Sequence, residues 1–356
     1  MNLSHASTLV SLPLALLAAL SAACGGETTF TPSGTPDDSA STLPSVTPGV
    51  PDDAVSLACN AQSAANCALR DSCTDGFANQ LTYGSADLCV SQATQGCIAN
   101  MGAIGTGNST AHINGCAAAY PTEWCTDYWD GNTVPACRSA EGVRANGAGC
   151  GVNSQCSSGF CDVGADAECG TCAPLPSPGD PCQTSSNCVY GLSCPIVAPA
   201  TSGVCTVRGT IGSPCDDFQL CQGGLTCIGA NTSAAVLGTC QEGQTTVGAA
   251  CNTQTGPGCD GEIYLHCSAG TCQREIVASA GQPCGDLAGL AYAQCGTGGL
   301  CVKPLGSSMG TCVGAAANGA ACDSVAGPPC LSPAKCIAAD GGSSGTCVFP
   351  DPASCG

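Results

Sequence analysis

The chain has 356 residues, of which 35 are cysteine and 4% aromatic, and carries 26 acidic against 7 basic side chains for a formal net charge of -19. Cysteine at this density marks a disulfide scaffold rather than a conventional large core. Phosphate backbones are bound by clusters of Lys and Arg, and the few basic residues here stand singly, which argues against a nucleic-acid partner.

Residues 1–23 read as a signal peptide, with an apolar run over 9–20 that is too short for a permanent membrane span. The run leads into Ser21-Ala22-Ala23-Cys24-Gly25-Gly26, which resembles a bacterial lipobox. That resemblance implies a lipid on Cys24 as the first mature residue. It also implies a membrane as partner through that lipid, and a place in the cell envelope, at the outer membrane or cell surface. Removing Cys24 leaves 34 cysteines, an even number available for disulfides. Residues 24–53 are rich in Thr, Ser, Pro, Gly and Asp without an apolar period, the composition of a solvated tether.

Residues 54–138 predict a disulfide-braced helical domain. Its eight cysteines are Cys59, Cys67, Cys73, Cys89, Cys97, Cys116, Cys125 and Cys137. Asp53 is placed to cap a helix running from residue 54 past Cys67. A second helix over 85–101 carries Cys89, Ala93, Cys97 and Met101 at four-residue steps. Two turns separate Cys89 from Cys97, so they cannot bond each other and are expected to staple this helix to neighbours. A third short helix begins at Ser109-Thr110. Both tryptophans lie in this stretch, and Trp124, Tyr128 and Trp129 are the candidate binding residues.

From residue 139 to 356 the expectation is six tandem cysteine-rich cassettes of short strands and turns, starting near 147, 179, 212, 248, 281 and 319. A glycine stands three positions before each first cysteine (Gly147, Gly179, Gly212, Gly248, Gly281, Gly319), and a glycine stands two before each last one (Gly170, Gly203, Gly238, Gly270, Gly310, Gly345). The candidate disulfide cysteines are Cys150, Cys156, Cys161, Cys169 and Cys172 in the first cassette, then Cys182, Cys188, Cys194 and Cys205. They continue with Cys215, Cys221, Cys227 and Cys240, and with Cys251, Cys259, Cys267 and Cys272. The last two sets are Cys284, Cys295, Cys301 and Cys312, and Cys322, Cys330, Cys336 and Cys347, with Cys355 beyond. Units this small fold only with their bridges. Four cysteines allow three connectivities, and the spacing leaves all three open. The surplus Cys169 and Cys355 predict at least one bridge across a cassette boundary. Short spacers suggest a quasi-linear arm in which each cassette touches mainly its neighbours.

This layout resembles the cysteine-rich lipoproteins of myxobacteria that carry Dickkopf N-terminal-like cysteine-rich domains. The first cassette, C-x5-C-x4-C-x7-C-x2-C from Cys150 to Cys172, carries the likeness most closely. The resemblance implies an extracellular binding module.

No catalytic constellation, cofactor or metal site is called for. His112 falls in an expected helix, and His266 takes a cassette position held by Ser193 or Thr226 in other units, which suggests a turn or surface site rather than a catalytic base. Paired cysteine knuckles suited to zinc are limited to Cys169/Cys172, and no calcium loop is present. The expectation is a non-enzymatic, membrane-anchored surface protein whose ectodomain binds or adheres to a protein or polysaccharide. A passive envelope spacer and a secreted enzyme inhibitor are the alternatives.

Overall fold

The computed structural model describes residues 53–355 except 164–166, 184–187, 197–201, 217–219, 232–233, 235, 288–290 and 339–341. The expected signal peptide, Cys24 and nearly all of the expected tether lie outside the described residues. All described residues belong to one compact unit, Pro48–Gly356. Among them, no helix is long and apolar enough to cross a membrane.

Five helices come first: α1 (Asp53–Thr74), α2 (Phe77–Thr82), α3 (Ala86–Met101), α4 (Thr110–Ala119) and α5 (Cys125–Asp130). Serines cap two of them, since Ser85 Oγ accepts the Leu88 N–H at 3.1 Å and Ser109 Oγ accepts the His112 N–H at 3.2 Å. α1 buries Cys59, Ser63, Cys67 and Cys73 on its inner side. Disulfides Cys59–Cys97 and Cys67–Cys89 make two rungs between α1 and α3. The rungs are two turns apart on each helix, about 12 Å, and this spacing fixes the helices antiparallel. Cys73–Cys125 ties the end of α1 to α5, and Cys116–Cys137 ties α4 to the turn at Pro135–Cys137.

The cassettes repeat one wiring. First bonds third and second bonds fourth, as in Cys182–Cys194 with Cys188–Cys205 and in Cys215–Cys227 with Cys221–Cys240. The same order holds in the other four: Cys150–Cys161 with Cys156–Cys172, Cys251–Cys267 with Cys259–Cys272, Cys284–Cys301 with Cys295–Cys312, and Cys322–Cys336 with Cys330–Cys347. Both sequence glycines acquire reasons. Each opening glycine has φ between 81° and 93°, the left-handed region that side chains disfavour. Its N–H donates to the carbonyl of the last cysteine at 2.7–2.9 Å, and that cysteine returns a bond to the residue after the glycine. The closing glycine is a steric requirement in five cassettes. A Cβ at Gly170, Gly203, Gly238, Gly310 or Gly345 would come within 2.1–2.5 Å of a backbone oxygen on the facing segment. In the fourth cassette Gly270 instead turns a tight hairpin with φ 79°.

With cores made mostly of their own half-cystines, the second to sixth cassettes each meet the helical domain or the segment just after it with the turn that follows the second cysteine. In the second cassette the Tyr190 hydroxyl accepts the Ser139 N–H at 3.4 Å. In the third, the Gly223 N–H donates to Asp130 Oδ1 at 2.7 Å. The fourth stacks Tyr264 on Phe77 of α2, ring centroids 4.3 Å apart, and sets Arg274 3.0 Å from Asp75. The fifth donates Thr297 and Gly298 N–H groups to the carbonyls of Gln80 and Leu81. The sixth lays Pro333 against Gly96 of α3. The circuit closes on the first cassette, whose Gln155 amide donates to the carbonyls of Ile104 and Pro352 at 2.9 and 3.3 Å. Lys335 reaches the Ala167 carbonyl at 3.1 Å, and Cys169–Cys355 bonds residues 186 apart.

The expected arm is therefore not formed. A cassette with two bridges and a few half-cystines buries too little to stand alone, and its turn residues find hydrogen-bond and packing partners on the preceding part of the chain. The cassettes line up around that domain instead of away from it.

Candidate functional site

The short α5 is held at its first residue by Cys73–Cys125 and ends at Gly131 with φ 68°. Asn132 Nδ2 donates to Asp127 Oδ1 at 2.9 Å and pins the turn that follows. Asp130 at its end meets the Gly223 N–H and lies 3.6 Å from Arg208 Nε, with both side chains largely buried. Trp129 lies against Gly223, where a Cβ would come 2.9 Å from the Trp129 Cβ. That glycine is needed for the approach. Arg138 lies over the ring of Tyr190, 5.0 Å from its centroid.

Between α5, the first two cassettes and the spacer that follows them lies a cleft of about 440 Å³, lined by Tyr128, Trp129, Asp130, Tyr190, Leu192 and Arg208 among others. Concave sites that combine aromatic walls with a few fixed polar groups are the usual form of a ligand site. Burial raises the Asp130 carboxyl above the ordinary aspartate range, against the opposing pull of the Gly223 N–H and Arg208. Burial likewise raises Glu262, again opposed by Arg208 and reinforced by Asp260 and Asp130. Tyr128 is raised by burial, and Arg70 works in the opposite direction. Tyr120 is pushed up to about 12 by burial and by Glu123 and Tyr128. The Trp129 indole N–H is buried with no hydrogen-bond partner among the described residues.

The three rings picked from the sequence do not make one exposed patch. Trp124 stands 76% exposed. Tyr128 and Trp129 are half-buried and face the cleft. Tyr190, Arg208 and Asp130 were missed because they come from segments brought together only by docking. One signal was present: Tyr190 occupies the cassette position held by Gly223 in the next unit, a departure from the repeat. All 34 cysteines from Cys59 to Cys355 are in disulfides. Their sulfurs gather within 4.8 Å in the cassettes because two bridges pack side by side. His112 lies on α4, and His266 sits on a strand with Nδ1 buried and without a partner among the described residues.

No known family model, curated protein or solved structure matches this chain. The structure and its bridges establish a disulfide-built domain of the kind made in an oxidising, extracytoplasmic compartment.

Proposed function

We propose that this chain is the non-catalytic ligand-binding head of an exported surface lipoprotein, held to a membrane by lipid on Cys24. The 24–53 segment serves as its tether. The cleft between α5 and the first two cassettes carries this reading. It joins aromatic walls to a fixed Asp130–Arg208 pair in a frame braced by bridges on every side. A protein or a polysaccharide is its ligand. The lipobox and the likeness to myxobacterial cysteine-rich lipoproteins support the anchored placement. The inhibitor alternative has less support. Among the described residues the most exposed large apolar side chain, Leu305, sits in a reverse turn closed by Ser307 N–H to the Pro304 carbonyl at 2.9 Å. A protease would need an extended segment there.

Tryptophan emission tests the proposal, since Trp124→Phe leaves Trp129 as the reporter of the cleft. Titration with envelope and prey-surface proteins and polysaccharides is expected to shift that emission saturably, and Tyr190→Ala is expected to weaken the response. Emission that stays constant with every preparation would remove the cleft as the binding site.

A further inference from the structure

A second, polar groove runs beside the aromatic cleft at the junction of α1, α3, α4 and the first cassette. One part, about 220 Å³, is lined by Asn66, Asn100, Asn108, His112 and Ser139 among others. The other, about 330 Å³, shares Asn100, Asn108 and Ser139 and continues to Asn153. Asn153 also lines the aromatic cleft. No Asp or Glu lines either part, and Arg138 is the cation at the edge. Asn66, Asn100 and Asn108 are half-buried, and their amides have no partner among the described residues. Asn153 is held in place because its Oδ1 accepts the Cys161 N–H at 2.9 Å.

We propose that this groove binds a neutral glycan chain. Each free amide offers two donors and an acceptor on one planar group, which matches the paired donor and acceptor character of sugar hydroxyls. A peptide partner would call for a buried apolar anchor, and these walls are mainly polar. An acidic polysaccharide would meet a protein of net charge -19, and mutual repulsion disfavours it. The chain would reach Tyr190 at the groove end, where Arg138 and the Ser139 N–H hold the ring. That ring is a flat apolar surface for one sugar face.

The inference deepens the binding-head reading and rests on it, so its test separates the two. Full-length protein, secreted in oxidised form, is titrated calorimetrically with neutral hexasaccharides of glucose, mannose and N-acetylglucosamine, and with oligogalacturonate as the charged control. At least one neutral hexasaccharide is expected to bind and oligogalacturonate is not. Asn100→Ala and Asn108→Ala are each expected to weaken binding about tenfold, the worth of one or two hydrogen bonds. Trp124→Ala is expected to have no effect. If an alanine variant misfolds, the near-isosteric Asn108→Asp, which exchanges donors for an acceptor, is read instead and is expected to weaken binding as well. Glycan binding that is indifferent to Asn100 and Asn108 overturns the groove assignment and leaves the binding head standing. Absence of glycan binding, with a protein ligand still shifting Trp129 emission, overturns the glycan alone. Absence of both overturns the glycan and the binding head together.

Discussion

Single residues decide whether a cassette can close. Gly212 is needed for its conformation, with φ 83° and open space around a would-be Cβ. Gly212→Ala is expected to cost about 1–2 kcal/mol, the strain of a left-handed alanine. Gly238 is needed for space, since its Cβ would lie 2.5 Å from the Ile228 carbonyl oxygen. Gly238→Ala is therefore expected to part the strands and to lower the yield of correctly bridged protein, read by non-reducing mass spectrometry, whereas Gly212→Ala leaves the bridging intact. Charge acts at the same scale. Burial raises Asp130 and Glu262, so the folded chain holds protons that the unfolded chain releases. The stability that this contributes is complete below the ordinary carboxylate range and is lost as pH rises through the raised values. The melting temperature is expected to rise between pH 7 and pH 5, and Asp130→Asn is expected to flatten that rise. Asp323 opposes this in more acid solution. The Ala326 N–H, the Ser344 hydroxyl and the Val325 N–H hold it well below the usual range, and its contribution is lost as pH falls through that lowered value. A melting temperature that falls from pH 7 to pH 5 would contradict this assignment.

At the scale of elements, the repeat was legible in the sequence and its wiring was not. The opening and closing glycines, the helix start at Ser109 and the long α1 all follow from local chemistry. α2 and α5 escaped because six residues give no apolar period to read. The connectivity escaped for a subtler reason. Third and fourth cysteines lie directly opposite each other on paired strands, as Cys227 does to Cys240, yet each bonds a different partner. The second cysteine comes from a segment that pairs instead with the incoming linker, as Cys221 does with Gly209, a placement that cysteine spacing does not show. Since a cassette's core is mainly its own half-cystines, damage is expected to stay local. Removing Cys188–Cys205 by paired serines is expected to cost about 3 kcal/mol. Proteolysis would then begin within 179–205 and the Tyr190 wall of the cleft would be lost, while the other cassettes stay protected. Protease resistance equal to wild type across 179–205 would refute this.

At the scale of the whole molecule, the repeat suggested a line and the structure makes a circuit. Quasi-linear arrays arise when each unit has nothing but its neighbours to pack on; here the preceding helical domain supplies acceptors and rings to one cassette after another. The sequence hinted at closure through its two surplus cysteines without showing that they meet. Cys169–Cys355 spans 186 residues, and a bare loop of that length would be worth about 5 kcal/mol to the folded state. The ten bridges of the second to sixth cassettes already shorten the path through the unfolded chain. The paired change Cys169→Ser with Cys355→Ser is therefore expected to cost less, about 3 kcal/mol. Its effect on structure follows from what lies next to the bridge. Arg144 donates to the Cys355 carbonyl and Gln155 to the Pro352 carbonyl, so the chain end keeps two charged or polar holds after the bridge is gone. The radius of gyration of the unit is expected to remain near the globular value, about 19 Å for some 300 residues. Hydrogen exchange is expected to quicken in the sixth cassette and at 352–355 first. An increase of several ångströms in small-angle scattering would mean that the disulfide alone keeps the last cassettes on the helical domain, and that the docking turns contribute little.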